Sequence, residues 1–139
     1  MTNFLDIQSW KPHPLAYFFY YLGGIAITLL SLLQFNFGFR GVFLGFLIFV
    51  ITEFIRRSET FSLTDKGLAR EFRFVSTATT FAEYSKIQDV SVEQSFFDRI
   101  FDIGNVSINT AGSPGPEILF RGVKNPQKVA NLIKERLHY

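Results

Sequence analysis

Leu15–Phe35 reads LAYFFYYLGGIAITLLSLLQF, and Gly41–Ile55 reads GVFLGFLIFVITEFI. No Asp, Glu, Lys or Arg lies between Lys11 and Arg40, and none lies between Arg40 and Glu53. The first stretch matches the roughly 20 apolar residues that a helix needs to cross a bilayer. The second, taken from Phe37 with Arg40 reaching back to the interface, extends roughly 28 Å at about 1.5 Å per residue. Between them, Asn36 to Gly41 offers the Asn and Gly that a tight turn uses. The pattern predicts a transmembrane hairpin with helices at about 15–36 and 38–57. A buried helical pair in a soluble core competes with this reading, but soluble helices of this length keep a polar face and these do not. A cleaved signal peptide fits poorly, because the second apolar stretch follows at once and no small-residue cleavage site stands clear of the first.

Outward from the hairpin, the positive charges set an orientation. Lys11 flanks the first helix, with His13 near it. Arg56 and Arg57 follow the second helix, and only Arg40 sits at the turn. The positive-inside rule then puts both termini in the cytoplasm. Trp10, Tyr17, Tyr20 and Tyr21 suit the interface at that end. The chain has 139 residues, of which 47% are hydrophobic and 19% charged, too apolar and too poor in charge for disorder. It has no Cys, which removes disulfides, thiolate metal sites and Cys nucleophiles. Its two His, His13 and His138, lie near the chain ends, so neither a His-based triad nor a multi-His metal site is expected. Of 14 basic and 12 acidic residues, four and two fall in 1–58, leaving ten of each beyond. The pI of about 9.0 therefore comes from the membrane part and does not announce a nucleic-acid-binding domain.

Past Ser58 the period changes to two. Phe61 and Leu63 alternate up to a turn at Asp65-Lys66-Gly67, and Leu68, Arg70, Phe72 and Phe74 then share a face. Thr79–Tyr84 and Ile87–Val92 are β-prone, and the phase slip between Ile87 and Val90 predicts a bulge near Gln88-Asp89. Val106, Ile108 and Thr110 line another strand, Gly112–Pro116 reads as a loop, and Ile118 and Phe120 follow in a last strand. Asn125 and Pro126 start a helix whose stripe is Val129, Leu132, Ile133 and Leu137. About six short antiparallel strands and one helix make a bent antiparallel sheet or partly open barrel, capped by that C-terminal helix. The expected division is 1–58 for the N-terminal segment and hairpin, and 59–139 for a cytoplasmic domain.

Tyr84-Ser85-Lys86-Ile87-Gln88-Asp89-Val90, then Arg99–Val106, Ile108–Gly112 and Phe120–Pro126 give the chain a likeness. It resembles the membrane-flanked, YdbS-like proteins of the bacterial PH domain family, over essentially its whole length. The resemblance implies a pair of transmembrane helices ahead of a mainly-β, PH-like fold. It implies no transferable enzymatic activity, so fold is carried over and function is not.

Most marked residues have plain readings. Gln88 and Asp89 organise a bulge. Glu53 has Arg56 and Arg57 at i+3 and i+4, the spacing of an interfacial ion pair. Phe96, Phe97, Ile100 and Phe101 crowd a short amphipathic turn, either covering the sheet end or meeting a bilayer or partner. No catalytic, cofactor or metal residues are singled out: Asp98 and Asp102 lack a His or Cys companion, no base is at hand for a nucleophilic Ser, and Gly112-Ser113-Pro114-Gly115 lacks the Gly-Lys-Ser/Thr of a phosphate loop. The expectation is a non-catalytic, multi-pass protein of a bacterial-type plasma membrane, or of a thylakoid in a photosynthetic cell. Its domain binds a membrane-protein partner through Phe96 and Phe97, as a subunit or an assembly factor of a membrane complex; a homo-oligomer is left open. The alternative is a lipid-headgroup reader using Lys66, Arg70 and Arg73. Phosphoinositide-binding PH domains cluster basic residues around the first hairpin, and here Glu71 interrupts that pattern.

Overall fold

Glu59–Thr64 and Gly67–Arg73 pair antiparallel, Phe61 opposite Arg70 and Leu63 opposite Leu68, as the alternation of period two requires. The computed structural model describes residues 6–34, 38–112, 114 and 116–138. Asn36 and Phe37 of the expected turn, and Ser113 and Gly115 of the expected loop, lie outside the described residues, whereas Gly38 to Gly41 of that turn open a helix.

In chain order the elements are β1 (Asp6–Trp10), α1 (Phe18–Leu33, led in by a 3-10 turn at Pro14–Tyr17), α2 (Gly38–Ser58), β2 (Glu59–Thr64), β3 (Gly67–Arg73), β4 (Thr77–Glu83), β5 (Ile87–Glu93), α3 (Phe96–Phe101), β6 (Ile103–Thr110), β7 (Pro116–Lys124) and α4 (Pro126–Leu137). One sheet runs β1-β2-β3-β4 and the other β5-β6-β7, all neighbours antiparallel. The register slips between Ile87 and Asp89, at the expected bulge.

The strand β1 corrects the expected division at residue 58. Trp10 pairs with Phe61 and Gln8 with Leu63, so residues up to Ala16 form one unit with Ser58 onward, and Tyr17–Arg57 forms the other. The helical hairpin is thus inserted in the chain between two hydrogen-bonded strands. Trp10, expected at a membrane interface, packs against the β core instead.

That core joins both sheets. Phe61 of β2 stacks on Phe120 of β7 with ring centroids 4.7 Å apart, among Leu63, Leu68, Val106, Ile108 and Ile118. From α4, Val129, Ala130 and Ile133 complete it and Leu137 packs on its margin. Leu132, expected on the stripe, is only half-buried and lies outside the cluster. Asn125 occupies the N-cap position of α4 without a side-chain cap; it takes the left-handed conformation at φ 50°, which Asn tolerates. Gly122, at φ +60°, lets the chain ahead of α1 dock on β7: a Cβ there would stand 2.4 Å from Ala16 Cβ, and the His13 amide donates to Gly122 O at 2.7 Å.

In the helical unit, α1 with its leading turn (Pro14–Leu33, 20 residues) and α2 (21 residues) are long and apolar enough to cross a membrane. They meet through small residues. A Cβ on Gly45 would lie 2.0 Å from Thr28 Oγ1 and 2.7 Å from Gly24 O, and one on Gly41 would lie 2.1 Å from Ser31 Cβ. The Gly41-x-x-x-Gly45 spacing therefore brings the backbones close. The hydroxyls in this seam are satisfied internally, Thr28 donating to Gly24 O and Ser31 to Thr28 O, both at 2.9 Å.

Candidate functional site

The α3 helix is short because its ends are pinned. Ser95 Oγ accepts from the Asp98 amide at 3.3 Å while Asp98 Oδ2 accepts from the Ser95 amide at 3.0 Å, a reciprocal cap. Asp102 ends the helix in the left-handed conformation, its amide bonded back to Arg99 O. Three further bonds tie the loop down: Gln94 Nε2 donates to Ile103 O at 2.8 Å, Lys124 Nζ to Phe101 O at 2.6 Å, and the Asn125 amide to Asp102 O at 2.9 Å.

On this fixed mount the apolar side chains face outward. Phe96 is 74% exposed, Phe97 52% and Ile100 61%, and no residue of α3 is buried. The Phe96 and Phe97 rings meet edge to face, centroids 5.7 Å apart. These three side chains are not buried against the sheet end, and of the four apolar residues only Phe101 is half-buried. Three large apolar groups held in water by a well-bonded loop form the sort of patch that marks an interaction surface.

The three basic candidates do not converge. Lys66 lies exposed in the turn between β2 and β3. Thr64 Oγ1 accepts from the Gly67 amide at 3.1 Å to hold that turn, and the Tyr84 hydroxyl donates to Thr64 O at 2.9 Å. Burial pushes the Tyr84 hydroxyl above the ordinary tyrosine range, which suits a donor kept protonated. Arg70 lies on the inner face opposite Phe61 and is paired with Glu59, whose side chain is only 5% exposed. Arg73, at the far end of β3 from Lys66, pairs with Glu71 in solvent. Seven residue steps separate Lys66 from Arg73, roughly 23 Å at about 3.3 Å each.

A polar cluster sits inside the helical unit. Glu53 receives Arg56 Nη2 at 2.5 Å and Arg57 Nε at 2.6 Å, the i+3 and i+4 pairing its spacing implied. The Tyr21 hydroxyl donates to Glu53 Oε2 at 2.8 Å, which sequence reasoning missed by treating Tyr21 as a lone interfacial aromatic. Among the described residues, no group of three or more His, Cys, Asp or Glu is placed to hold a metal ion.

Compared with known proteins, residues 15–137 match the family model described as the bacterial PH domain. No curated protein and no solved structure matches the chain.

Proposed function

The chain belongs to the bacterial PH domain family, and from that premise we propose that it is a non-catalytic integral membrane protein whose PH-like unit binds a protein partner. In this reading α1 and α2 cross a bacterial-type membrane as a hairpin. The PH-like unit lies in the cytoplasm, and α3 presents Phe96, Phe97 and Ile100 to a subunit of a membrane complex. The observation that carries the reading is the outward display of these three residues on a loop fixed by a reciprocal cap and three further bonds. A rigid aromatic anchor loses little entropy on binding, and such residues supply most of the energy of small interfaces. A chain held in the same membrane as its partner meets it at high effective concentration, so a small patch suffices.

Headgroup capture by Lys66, Arg70 and Arg73 draws less support. One of the three is committed to Glu59, and the other two lie at opposite ends of a strand. Anionic surface attraction is worth only about 1 kcal/mol per nearby basic residue, and the unit's acidic residues offset it.

The test uses the whole chain, because a fragment beginning at residue 59 would lack β1. Phe96→Ser and Phe97→Ser, each solubilised in mild detergent from native membranes, should lose a specific co-purifying membrane protein while melting as the parent does. Retention of every partner by both variants refutes the reading. Binding of phosphatidylglycerol by the detergent-solubilised Phe96→Ser chain, abolished by Lys66→Ala with Arg73→Ala, replaces it with the lipid one.

A further inference from the structure

The four-stranded sheet has one polar turn and one apolar turn, at opposite ends of β3. At the first, β2 turns into β3 through Asp65-Lys66, with Gly67 opening β3, the residue types that solvent-exposed turns favour. At the second, β3 turns into β4 through Phe74-Val75-Ser76, with no Gly, Asn, Asp or Pro. Val75 is 91% exposed and Phe74 48%. The tip is ordered: the Phe74 amide donates to Ser76 O at 3.2 Å, and the Phe74 ring stacks on Phe72 with centroids 6.3 Å apart.

The strand register says which end this is. Glu59 pairs with Phe72 and Trp10 with Phe61. The end bearing Phe74-Val75 is therefore the end at which β1 finishes on its way to α1 and β2 begins on its return from α2. The polar turn lies a full strand away, roughly 20 Å at about 3.3 Å per residue. A hairpin tip that faced water would have no use for Phe-Val at its apex, whereas one beside the points where the chain enters and leaves a bilayer would meet the interfacial layer, which accepts aromatic and aliphatic side chains.

We propose that the β3–β4 tip, Phe74 and Val75, is a lipid-bilayer contact that dips into the interface at the sheet end from which the chain departs for α1 and to which it returns from α2. This rests on the reading that α1 and α2 cross the bilayer, and the experiment separates the two. The chain has no Cys, so single cysteines at Val75, Lys66 and Leu47 can each carry an environment-sensitive fluorophore. The full chain is reconstituted in vesicles of phosphatidylethanolamine and phosphatidylglycerol. Labels on Val75→Cys and Leu47→Cys should be quenched by brominated acyl chains and shielded from iodide. The label on Lys66→Cys should show the reverse. Adding Phe74→Ser to the Val75→Cys chain should restore iodide quenching without changing the melting temperature. A Val75 label open to iodide while the Leu47 label sits in lipid overturns the tip contact and leaves the crossing intact. A Leu47 label open to iodide overturns the crossing as well. Shielding of the Val75 label only when native membrane proteins are added also overturns the proposal, since a protein would then cover the tip.

Discussion

Arg70 lies on the core side of β3, between Leu68 and Phe72, and its presence there is costly unless Glu59 answers it. Glu59 is almost wholly buried, and its Oε2 and the Arg70 Nε have no hydrogen-bond partner among the described residues. The pair is thus incompletely satisfied, and its members depend on one another. Removing one partner of a buried pair costs about 3–5 kcal/mol. Because the Arg70 side chain is 30% exposed, the lower part of that range applies, about 3 kcal/mol. Arg70→Ala should lower the melting temperature of the full chain markedly, and Arg73→Ala, whose pair lies in solvent, should leave it nearly unchanged. Replacing both members, Glu59→Leu with Arg70→Leu, should recover most of the loss, since two apolar groups leave no charge stranded. A harmless Arg70→Ala would show that the pair stabilises nothing. From the sequence, Arg70 reads as one of three cations near a turn. Its inward side follows from the same alternation that puts Leu68 in the core and sets Arg70 opposite buried Phe61, so that signal was available and pointed away from a headgroup site.

At the scale of elements, α4 shows how far a pattern reaches. A stripe of Val129, Leu132, Ile133 and Leu137 is one of two adjacent stripes on the same helix. The structure buries the one made of Val129, Ala130 and Ile133 where α4 packs on β5 and β6. Ile133→Ala should cost about 2–5 kcal/mol, the usual range for a fully buried aliphatic. Leu132→Ala should cost clearly less, and Lys134→Ala should stay within about 0.5 kcal/mol. Thermal melts of the full chain in detergent rank the three, and a larger loss at Leu132 than at Ile133 would reverse the assigned face. The two long helices, the strands from β2 to β7 and the bulge at Ile87/Asp89 were legible because each is a local signal, an unbroken apolar run or a change of phase within a few residues. The strand β1 was not. Asp6–Trp10 is five residues long and slips register after Asp6, and its partner lies on the far side of the whole hairpin, so no local periodicity announces it. Likewise Phe96 and Phe97 were legible as a crowded turn, but their outward face depends on the caps and latches of α3, which join residues up to 23 apart.

For the whole molecule, the pairing of β1 with β2 constrains topology more firmly than charge does. The positive-inside bias rests on a handful of residues, Lys11, Arg56 and Arg57 against Arg40. The pairing is categorical. Trp10 precedes the hairpin, Phe61 follows it, and the two are register partners in adjacent strands about 4.8 Å apart. Hydrocarbon about 30 Å thick cannot separate them. Any crossings made by the chain between them must then be even in number, and the proposed passage of α1 and α2 would supply two. Single cysteines placed at Gln8 and Lys66 should therefore always share a side, and one at Arg40 should lie on the other. With an impermeant maleimide added to intact cells, the charge rule further expects only the Arg40→Cys chain to be labelled. Labelling at both Gln8 and Lys66 but not at Arg40 would keep the hairpin and invert it. Labelling at one of Gln8 and Lys66 without the other cannot coexist with the β1–β2 pairing, and would mean that the first strand does not belong to this sheet.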